Sequence, residues 1–486
     1  ITIFYCYSVI KTKIKTMHNN KFGDYTPEIT KEEVLDITLG MFFDGTLNNK
    51  TNTIERRRET PEYKKNGGSP TDNNSYNNDW SNVARLWDNY DKNFGIYIEG
   101  IGTEDKEKDS MLGYAFGTGD TGIRGKVRKG CEEIVKKVKN IKNAKKADKI
   151  AVLTFDVFGF SRGAAAARNF VHEIGKSKYK ATTTTVSHQG MTVTSKYDSD
   201  GTAVEGDELP KWGHLGLKLQ EAGITVDVIK VRFLGIYDTV SSYSKNFSAM
   251  PNFHNDVEEL SLNDIGRAQT VIHFVAENEH RENFDLTNVH VGIEKIFPGV
   301  HCDVGGAYED GTETWEEIET SWTTSAKLKA LRSQLIADAW YKEDQLTITP
   351  GFYLALKGSR KLVKRYSFVP LHFMAEYGVQ KTVPLTIKKL TDETYSISED
   401  PLLIRVKDRL RSYAMADGKQ YVFKRYKDVE TAYGGTSIPE QKYADYQKEM
   451  KEQDDLRRLR NEYLHWSARR EGIGMDPTSD RVRVLH

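Results

Sequence analysis

The sequence predicts an α/β fold in which a mainly parallel β-sheet is flanked by helices. Two observations carry this prediction. Apolar runs rich in β-branched and aromatic residues recur along the first two thirds of the chain, and they are apolar enough to be strands buried on both faces. Segments with helical periodicity stand between these runs, and such an alternation is typical of a parallel sheet.

The elements follow one another as this fold class requires. The predicted strands are Ile37–Phe43, Phe94–Ile98, Ile150–Phe158, Val226–Tyr237 and Val271–Ala276. The predicted helices are Asn82–Asn89, Arg124–Ile141, Arg162–Ile174 and Ala326–Trp340. Because this pattern continues to about residue 345, residues 37–345 are interpreted as a single catalytic domain.

The remaining segments are predicted to be additions to this domain. Residues 1–36 form an N-terminal extension, and residues 1–16, which precede the first methionine, are interpreted as upstream sequence or a tag. Residues 181–208, with Thr and Val around Gly190, predict a polar hairpin that either borders a cleft or decorates the surface. Residues 346–486 are predicted to be a helical module, whose amphipathic helix near Leu456 favours packing on the main body over contact with a membrane or partner.

Composition excludes several classes of protein. The 486 residues include 70 basic and 70 acidic side chains, so the zero net charge removes the electrostatic case for a nucleic-acid binder. The three cysteines are too few and too scattered for a disulfide framework or a Cys-rich zinc site. The longest apolar stretch, residues 1–10, is shorter than the roughly 20 residues of a membrane span and lacks the features of a secretory signal. A soluble protein made without a signal peptide is therefore expected.

The strongest local signal is the sequence Gly159-Phe160-Ser161-Arg162-Gly163. This G-x-S-x-G motif lies between a predicted strand and an Ala-rich predicted helix, which is the context of a nucleophile elbow. Glycines are needed there because the serine occupies a strained turn and neighbouring backbone passes close by. The alternative is a Gly-rich turn with an idle serine.

A nucleophilic serine requires a base and an orienting carboxylate. In α/β-hydrolases the chain order is Ser, then Asp or Glu, then His. Asp238 closes the strand Val226–Tyr237, and His301 follows in a Gly-rich loop, so both fit the order and the expected edge of the sheet. Either residue could instead be structural, Asp238 as a turn or cap residue.

Rival residues remain for both roles. His172 and His273 fall within predicted helix and strand and are interpreted as packing residues. His280 and His465 stay open as alternative bases, and Asp303 is the rival acid.

The oxyanion hole is predicted from two backbone segments. One donor is the amide of Arg162, which follows the nucleophile, and the other comes from Gly45 and Thr46 in an early strand–helix loop. Asp44 is interpreted as ordering that loop rather than taking part in the chemistry. The chain has no H-E-x-x-H motif and no clustered ligand spacing, so neither a catalytic metal nor another cofactor is expected.

Seven motifs together resemble a known family. They are FFDGTLNN (42–49), NDWSNVARL (78–86), YIEGIGT (97–103), GFSRGAAAAR (159–168), FLGIYDTV (233–240), ENEHRENF (277–284) and FPGVHCDVGGAY (297–308). In this order they are similar to the α/β-hydrolase family that includes type VI secretion lipase effectors. The resemblance covers roughly residues 37–345; the insertion at 181–208 departs from it and the C-terminal part matches weakly.

The resemblance implies an α/β-hydrolase fold and phospholipase activity delivered into a neighbouring bacterium. The family's nucleophile falls on Ser161, its acid on Asp238 and its histidine on His301. Synthesis in the cytoplasm, export with a secretion spike protein, action at the target membrane or periplasm, and a cognate immunity protein are implied as well. The expected activity is cleavage of carboxylic esters in phospholipids, with an apolar cleft covered by residues 181–208 or by the C-terminal module. The alternatives are an esterase or thioesterase for a soluble acyl substrate, and a catalytically silent scaffold.

Overall fold

The computed structural model describes residues 10–14, 31–69, 72, 74–110, 121–188, 191–241, 257–435, 437–472 and 474–486. Its strands are β1 (Ile10–Ile14), β2 (Lys31–Phe43), β3 (Gly95–Ile98), β4 (Lys149–Phe160), β5 (Tyr179–Lys180), β6 (Thr182–His188), β7 (Met191–Tyr197), β8 (Ala203–Val204), β9 (Glu208–Leu209), β10 (Val226–Tyr237), β11 (Val271–Ala276), β12 (Ile293–Phe297), β13 (Gly311–Ser321), β14 (Leu346–Thr349) and β15 (Leu354–Leu362).

The α-helices lie between these strands and, after β15, follow one another. They are α1 (Lys50–Arg57), α2 (Pro61–Asn66), α3 (Asn82–Asn89), α4 (Ile123–Lys145), α5 (Arg162–Glu173), α6 (Gly213–Glu221), α7 (His301–Gly305), α8 (Ala326–Ala337), α9 (Phe368–Gln380), α10 (Pro401–Ala414), α11 (Tyr426–Tyr433) and α12 (Glu440–Glu462). No helix within these described ranges combines the length and the apolar character needed to cross a bilayer.

The main sheet has the strand order β1-β2-β4-β10-β11-β12, with β3 beside β2. All neighbours from β2 to β12, and the pair β2–β3, are parallel, whereas β1 is antiparallel to β2. Every residue of β11 is buried, as expected for a strand covered on both faces. The predicted α/β fold with a mainly parallel sheet is therefore confirmed.

The two faces of the sheet belong to two hydrophobic cores. Because side chains alternate along a strand, Phe42 and Phe158 point into one core, while Phe43 and Phe155 point into the other. The core that contains Phe43 is completed by α4 and α5. The core that contains Phe42 is completed by α9, α10 and α12, so the helical C-terminal region packs directly on the sheet.

Two predicted boundaries differ from the structure. Residues 10–14, expected to lie outside the fold, form β1 and pair with residues 31–35 of β2. The boundary after residue 345 falls inside an antiparallel sheet, because β13 pairs with β15, which pairs with β14. The strand β1 and the sheet of β13, β14 and β15 are formed by backbone pairing between residues distant in sequence. The periodicity of side chains along the sequence does not reveal such pairing.

The insertion at 181–208 contains the predicted polar hairpin, formed by β6 and β7. Its base is anchored through Asp200, whose carboxylate accepts a hydrogen bond from Lys176 at 3.1 Å and whose carbonyl accepts one from Arg124 at 3.0 Å. Within the described ranges, no hydrogen bond or ion pair joins the insertion to residue 161, 238 or 301. Its contacts therefore lie at the start of α4 and just after α5.

Candidate active site

Ser161 forms a sharp turn between β4 and α5. Its φ and ψ angles are 58° and −130°, a conformation that is costly for a residue with a Cβ atom. A Cβ atom on Gly159 would lie 2.5 Å from the carbonyl oxygen of Gly163, and one on Gly163 would lie 2.2 Å from that of Asp44. Both glycines are thus required by close backbone approach, and the turn has the geometry of a nucleophile elbow.

The elbow is fixed against the end of the neighbouring parallel strand. Ser161 N donates to Tyr237 O at 3.0 Å, and Val240 N donates to Ser161 O at 3.4 Å. Asp238 is the first residue after β10 and therefore lies at the same carboxyl edge of the sheet as Ser161. Ser161 and Asp238, which are 77 positions apart in the sequence, are brought to adjacent strand ends in this way.

Asp238 is fully buried and accepts four hydrogen bonds. Its Oδ2 lies 2.5 Å from His301 Nδ1, and the amide of Ala276 donates to Oδ1 at 2.8 Å. Arg483 donates Nη1 to Oδ1 at 2.6 Å and Nη2 to Oδ2 at 2.9 Å. Burial would raise the pKa of Asp238, but the charge of Arg483 and the His301 hydrogen bond outweigh it and hold the pKa below its usual range.

His301, the first residue of α7, is held by aromatic rings on two sides. Its ring centroid lies 4.5 Å from that of Phe160 and 5.0 Å from that of Phe284. Because the Asp238 carboxylate accepts from Nδ1, Nε2 is the basic nitrogen. Among the described side chains, no hydrogen bond joins Ser161 Oγ to His301 Nε2.

The rival residues are engaged elsewhere. His465 Nδ1 lies 2.7 Å from Asp303 Oδ1, so the alternative base and the rival acid pair with each other. His280 Nδ1 lies 3.0 Å from the carbonyl oxygen of Asn278 and donates to it. The predicted packing histidines are also paired, His172 with Asp264 and His273 with Glu294 and Thr239.

The loop predicted to supply the oxyanion donors is ordered by Asp44, as expected. The Asp44 carboxylate is buried and accepts from Tyr97 Oη at 2.6 Å, and burial raises its pKa. Its Oδ1 also accepts a hydrogen bond from the amide of Gly45 at 2.7 Å, so this amide has a partner inside the loop. Thr46 Oγ1 accepts from Arg162 Nε at 2.7 Å, which ties the loop to the first residue of α5.

Sequence reasoning missed two charged groups beside His301. Glu279 accepts hydrogen bonds from Arg281 Nη2 at 2.9 Å and from His301 N at 3.3 Å. Burial would raise the pKa of Glu279, but the charge of Arg281 overcomes this and lowers it. Glu279 and Arg281 both lie in the ENEHRENF motif, so the motif could have identified them as candidate site residues. Arg483, in contrast, stands in a segment that carries no recognisable motif.

The arrangement can perform acyl transfer, because it combines a hydroxyl on an elbow with an imidazole oriented by a buried carboxylate. In the part of the chain that the structure describes, no three His, Cys, Asp or Glu side chains are grouped so that they could hold a metal ion.

Comparisons with known proteins agree with this architecture. A search of curated proteins finds no match. Among solved structures, the Tle1 effector bound to the VgrG spike from the type 6 secretion system is similar, with a TM-score of 0.52, 18% identity and 99% of each chain covered. An uncharacterized protein from Pseudomonas aeruginosa gives a TM-score of 0.37 and 16% identity, over 93% of this chain and 65% of that one.

The similarity to the Tle1 effector at this level of identity supports the fold. The family is established by a sequence match instead, since the model of the type VI secretion (T6SS) Tle1-like phospholipase effector catalytic domain matches residues 38–326. This range is more than half of the 486 residues and contains Ser161, Asp238 and His301. The chain therefore belongs to the Tle1-like family of type VI secretion phospholipase effectors.

Proposed function

We propose that this protein is a serine hydrolase that cleaves carboxylic ester bonds of phospholipids, with Ser161, His301 and Asp238 as its catalytic residues. The observation that carries the proposal is the 2.5 Å contact between His301 Nδ1 and Asp238 Oδ2, at the sheet edge where Ser161 occupies its strained turn. Membership of a phospholipase effector family supports the lipid substrate.

The reaction follows from the positions of these groups. His301 Nε2 accepts the Ser161 hydroxyl proton as Oγ bonds to the ester carbonyl carbon, and Asp238 stabilises the imidazolium that forms. The amides of Arg162 and Thr46 donate to the oxyanion. The C–O bond to the lysophospholipid then breaks as His301 returns the proton to the leaving alcohol. His301 then takes a proton from water as the water oxygen bonds to the acyl carbon. The bond from that carbon to Ser161 Oγ breaks, His301 returns the proton to Oγ, and a fatty acid is released.

We expect the acid limb of the pH profile of kcat/KM to lie below the ordinary histidine value of about 6.5. Burial lowers the pKa of His301, and the hydrogen bond and charge of Asp238 offset this only in part. The base must be neutral, so activity is lost as the pH falls through this lowered pKa. Rates on a soluble ester measured across the acid range check this, and an acid limb above the ordinary value would contradict it.

An exposed aromatic group favours a membrane substrate over a soluble ester. Trp322, just after β13, is 68% exposed, and Phe352, in the turn before β15, is 92% exposed. Their ring centroids are 5.4 Å apart, and the Tyr353 ring lies 5.0 Å from that of Trp322. We call Trp322, Phe352 and Tyr353 the aromatic tip. Large aromatic side chains exposed together suit the interface between lipid and water.

A hydrogen bond joins the strand before the aromatic tip to the chain segment that contains Arg483. Glu319, three residues before Trp322, accepts a hydrogen bond from Arg481 at 2.8 Å. Arg481 is two residues before Arg483, which binds Asp238. The strand that leads to the aromatic tip is therefore tied to the chain segment whose Arg483 binds Asp238.

Replacing Trp322 and Phe352 with alanine is expected to lower fatty acid release from phospholipid vesicles by roughly ten-fold or more, because each buried ring contributes about 1.5–3 kcal/mol to partitioning. Hydrolysis of a soluble short-chain ester should stay within about two-fold of wild type. Tyr443→Ala, which removes an aromatic ring that is 53% exposed on α12, is the matched control. Vesicle hydrolysis that is unchanged by the double substitution would contradict the membrane role of the aromatic tip.

The substrate class is tested directly with vesicles of phosphatidylethanolamine and phosphatidylglycerol. We expect equimolar fatty acid and lysophospholipid by mass spectrometry, and no products with Ser161→Ala. Soluble-ester turnover without vesicle hydrolysis would favour a soluble acyl substrate. A folded protein that hydrolyses neither substrate would support the silent scaffold.

We infer that the protein acts as an antibacterial effector carried by a secretion spike protein. Its fold matches that of the Tle1 effector over 99% of both chains, and that effector is bound to the VgrG spike. Synthesis in the cytoplasm, action at the target membrane or periplasm and neutralisation by an immunity protein belong to the same proposal. Co-expression with a VgrG-type spike protein and affinity purification of one partner tests the carriage, and failure of the other partner to co-purify would contradict it.

A further inference from the structure

A short segment near residue 483 is fastened alongside the loop that carries Phe284. We call residues 476–486 the strap. Backbone hydrogen bonds of 2.8–2.9 Å fix it to residues 280–288, namely Glu282 N to Asp476 O, Thr478 N to His280 O, Leu286 N to Val484 O, His486 N to Leu286 O and Asn288 N to His486 O. The strap is therefore held near both of its ends by isolated bridges, which are antiparallel between Pro477 and Arg281 and parallel between Leu485 and Leu286.

Within the strap, Arg483 reaches the catalytic centre. Its guanidinium donates to both oxygens of Asp238, from Nη1 to Oδ1 at 2.6 Å and from Nη2 to Oδ2 at 2.9 Å. Its Nε donates to Phe284 O at 2.7 Å. The Arg483 side chain is 7% exposed and that of Asp238 is fully buried. Such a two-pronged contact fixes the plane of a carboxylate as well as its position.

We propose that Arg483 is a positioning residue for the hydrolytic reaction, holding the Asp238 carboxylate in the orientation in which Oδ2 receives the Nδ1 proton of His301. This inference rests on the proposed function. Without Arg483, the Ala276 amide would be the remaining backbone donor to Asp238 in the described contacts. A single bond to Oδ1 would let the carboxylate rotate, and the imidazole would lose a fixed partner.

Arg483 also sets how strongly Asp238 attracts a proton to His301. The guanidinium offsets the negative charge of Asp238, so its removal leaves that charge to stabilise the imidazolium. The charged and titratable groups around His301 are Asp238 at the end of β10, Glu279 and Arg281 in the preceding loop, Cys302 and Asp303 in α7, Tyr308 after it, and Arg483 in the strap. Replacing Arg483 alone should therefore raise the pKa of His301.

A purely structural arginine would behave differently. Loss of a tether would lower stability and turnover, but it would leave the acid limb of kcat/KM at the wild-type pH. Arg481 provides the comparison, because it lies in the same strap and binds Glu319 rather than Asp238. Arg481→Met removes a strap arginine without touching the aspartate.

The experiment measures kcat and KM against pH for the full chain acting on a soluble ester. For Arg483→Met we expect kcat to fall by about 10- to 100-fold with KM within about two-fold, and the acid limb to move up by roughly half a unit or more. Arg483→Lys keeps the positive charge but loses the bidentate hydrogen bonds to Asp238. Its acid limb should therefore stay at the wild-type pH while kcat falls by about three-fold or more. Arg481→Met should keep the wild-type limb and most of kcat.

The proposal is overturned if Arg483→Met leaves kcat and the acid limb at wild-type values, or if it lowers kcat no more than Arg481→Met with an unmoved limb. Circular dichroism and thermal melting verify folding. If Arg483→Met does not fold, Arg483→Lys decides: reduced kcat at constant KM supports the positioning role, and wild-type kcat overturns it. Full turnover by Ser161→Ala would instead defeat the proposed function itself, whatever the arginine variants do.

Discussion

Ser161→Ala is expected to lower ester hydrolysis by at least about 10⁴-fold and to leave the fold intact. The hydroxyl is the only group at the elbow proposed to bond to the substrate carbonyl. It makes no hydrogen bond that caps α5, and alanine tolerates a φ of 58° about as poorly as serine does. The free energy of unfolding should therefore change by less than about 1 kcal/mol.

Covalent labelling by a fluorophosphonate probe tests the reactivity of the Ser161 hydroxyl without a lipid substrate. Wild-type protein should be labelled covalently and Ser161→Ala should not. Ser367→Ala is the matched control, because Ser161 and Ser367 are both 4% exposed and the Ser367 hydroxyl donates to Lys364 O in a structural contact. Labelling of Ser161→Ala at the wild-type level would refute the assignment of Ser161 as the nucleophile.

His301→Gln is expected to have the second largest effect, a loss of about 10³- to 10⁴-fold in kcat. Glutamine can still donate a hydrogen bond to Asp238, but it cannot accept and return a proton near neutral pH. The Phe160 and Phe284 rings lose the imidazole that they contact, so a modest loss of stability should accompany the loss of turnover. Steady-state rates on a soluble ester measure the effect.

His465→Gln tests the rival base in a matched way. His465 pairs with Asp303 at 2.7 Å and stacks on Tyr308 with ring centroids 3.7 Å apart, an arrangement that holds α7 against the region after α12. The substitution should lower the melting temperature while most of kcat remains. If instead His465→Gln were inactive and His301→Gln active, the base would have to be reassigned.

Local sequence patterns predicted the main sheet and the elbow because both are governed by local chemistry. Val226–Tyr237 and Val271–Ala276 were predicted with the bounds that the structure gives them, since buried strands require uninterrupted apolar runs. The elbow needed glycines at 159 and 163, and their steric role is visible in the structure. Chain order and the topology of a parallel sheet then indicated Asp238 and His301, which the structure brings into contact.

The features that sequence reasoning missed depend on contacts between distant residues. Arg483 lies 245 positions from Asp238, in a segment whose residue types are typical of any charged surface. The hydrogen bond from the Gly45 amide to Asp44 was not predicted, because it depends on the rotamer of the Asp44 side chain. The pairing of β13 with β15 was hidden because strand register leaves no mark on hydropathy.

The large sequence separation between Arg483 and Asp238 has a consequence for biosynthesis. At typical elongation rates of roughly 5–20 residues per second, 245 residues take about 10–50 s to translate. Ser161, Asp238 and His301 are therefore synthesised well before Arg483. By this order of synthesis, Asp238 meets the guanidinium that binds both of its oxygens only after the strands β2, β4, β10, β11 and β12 have been made.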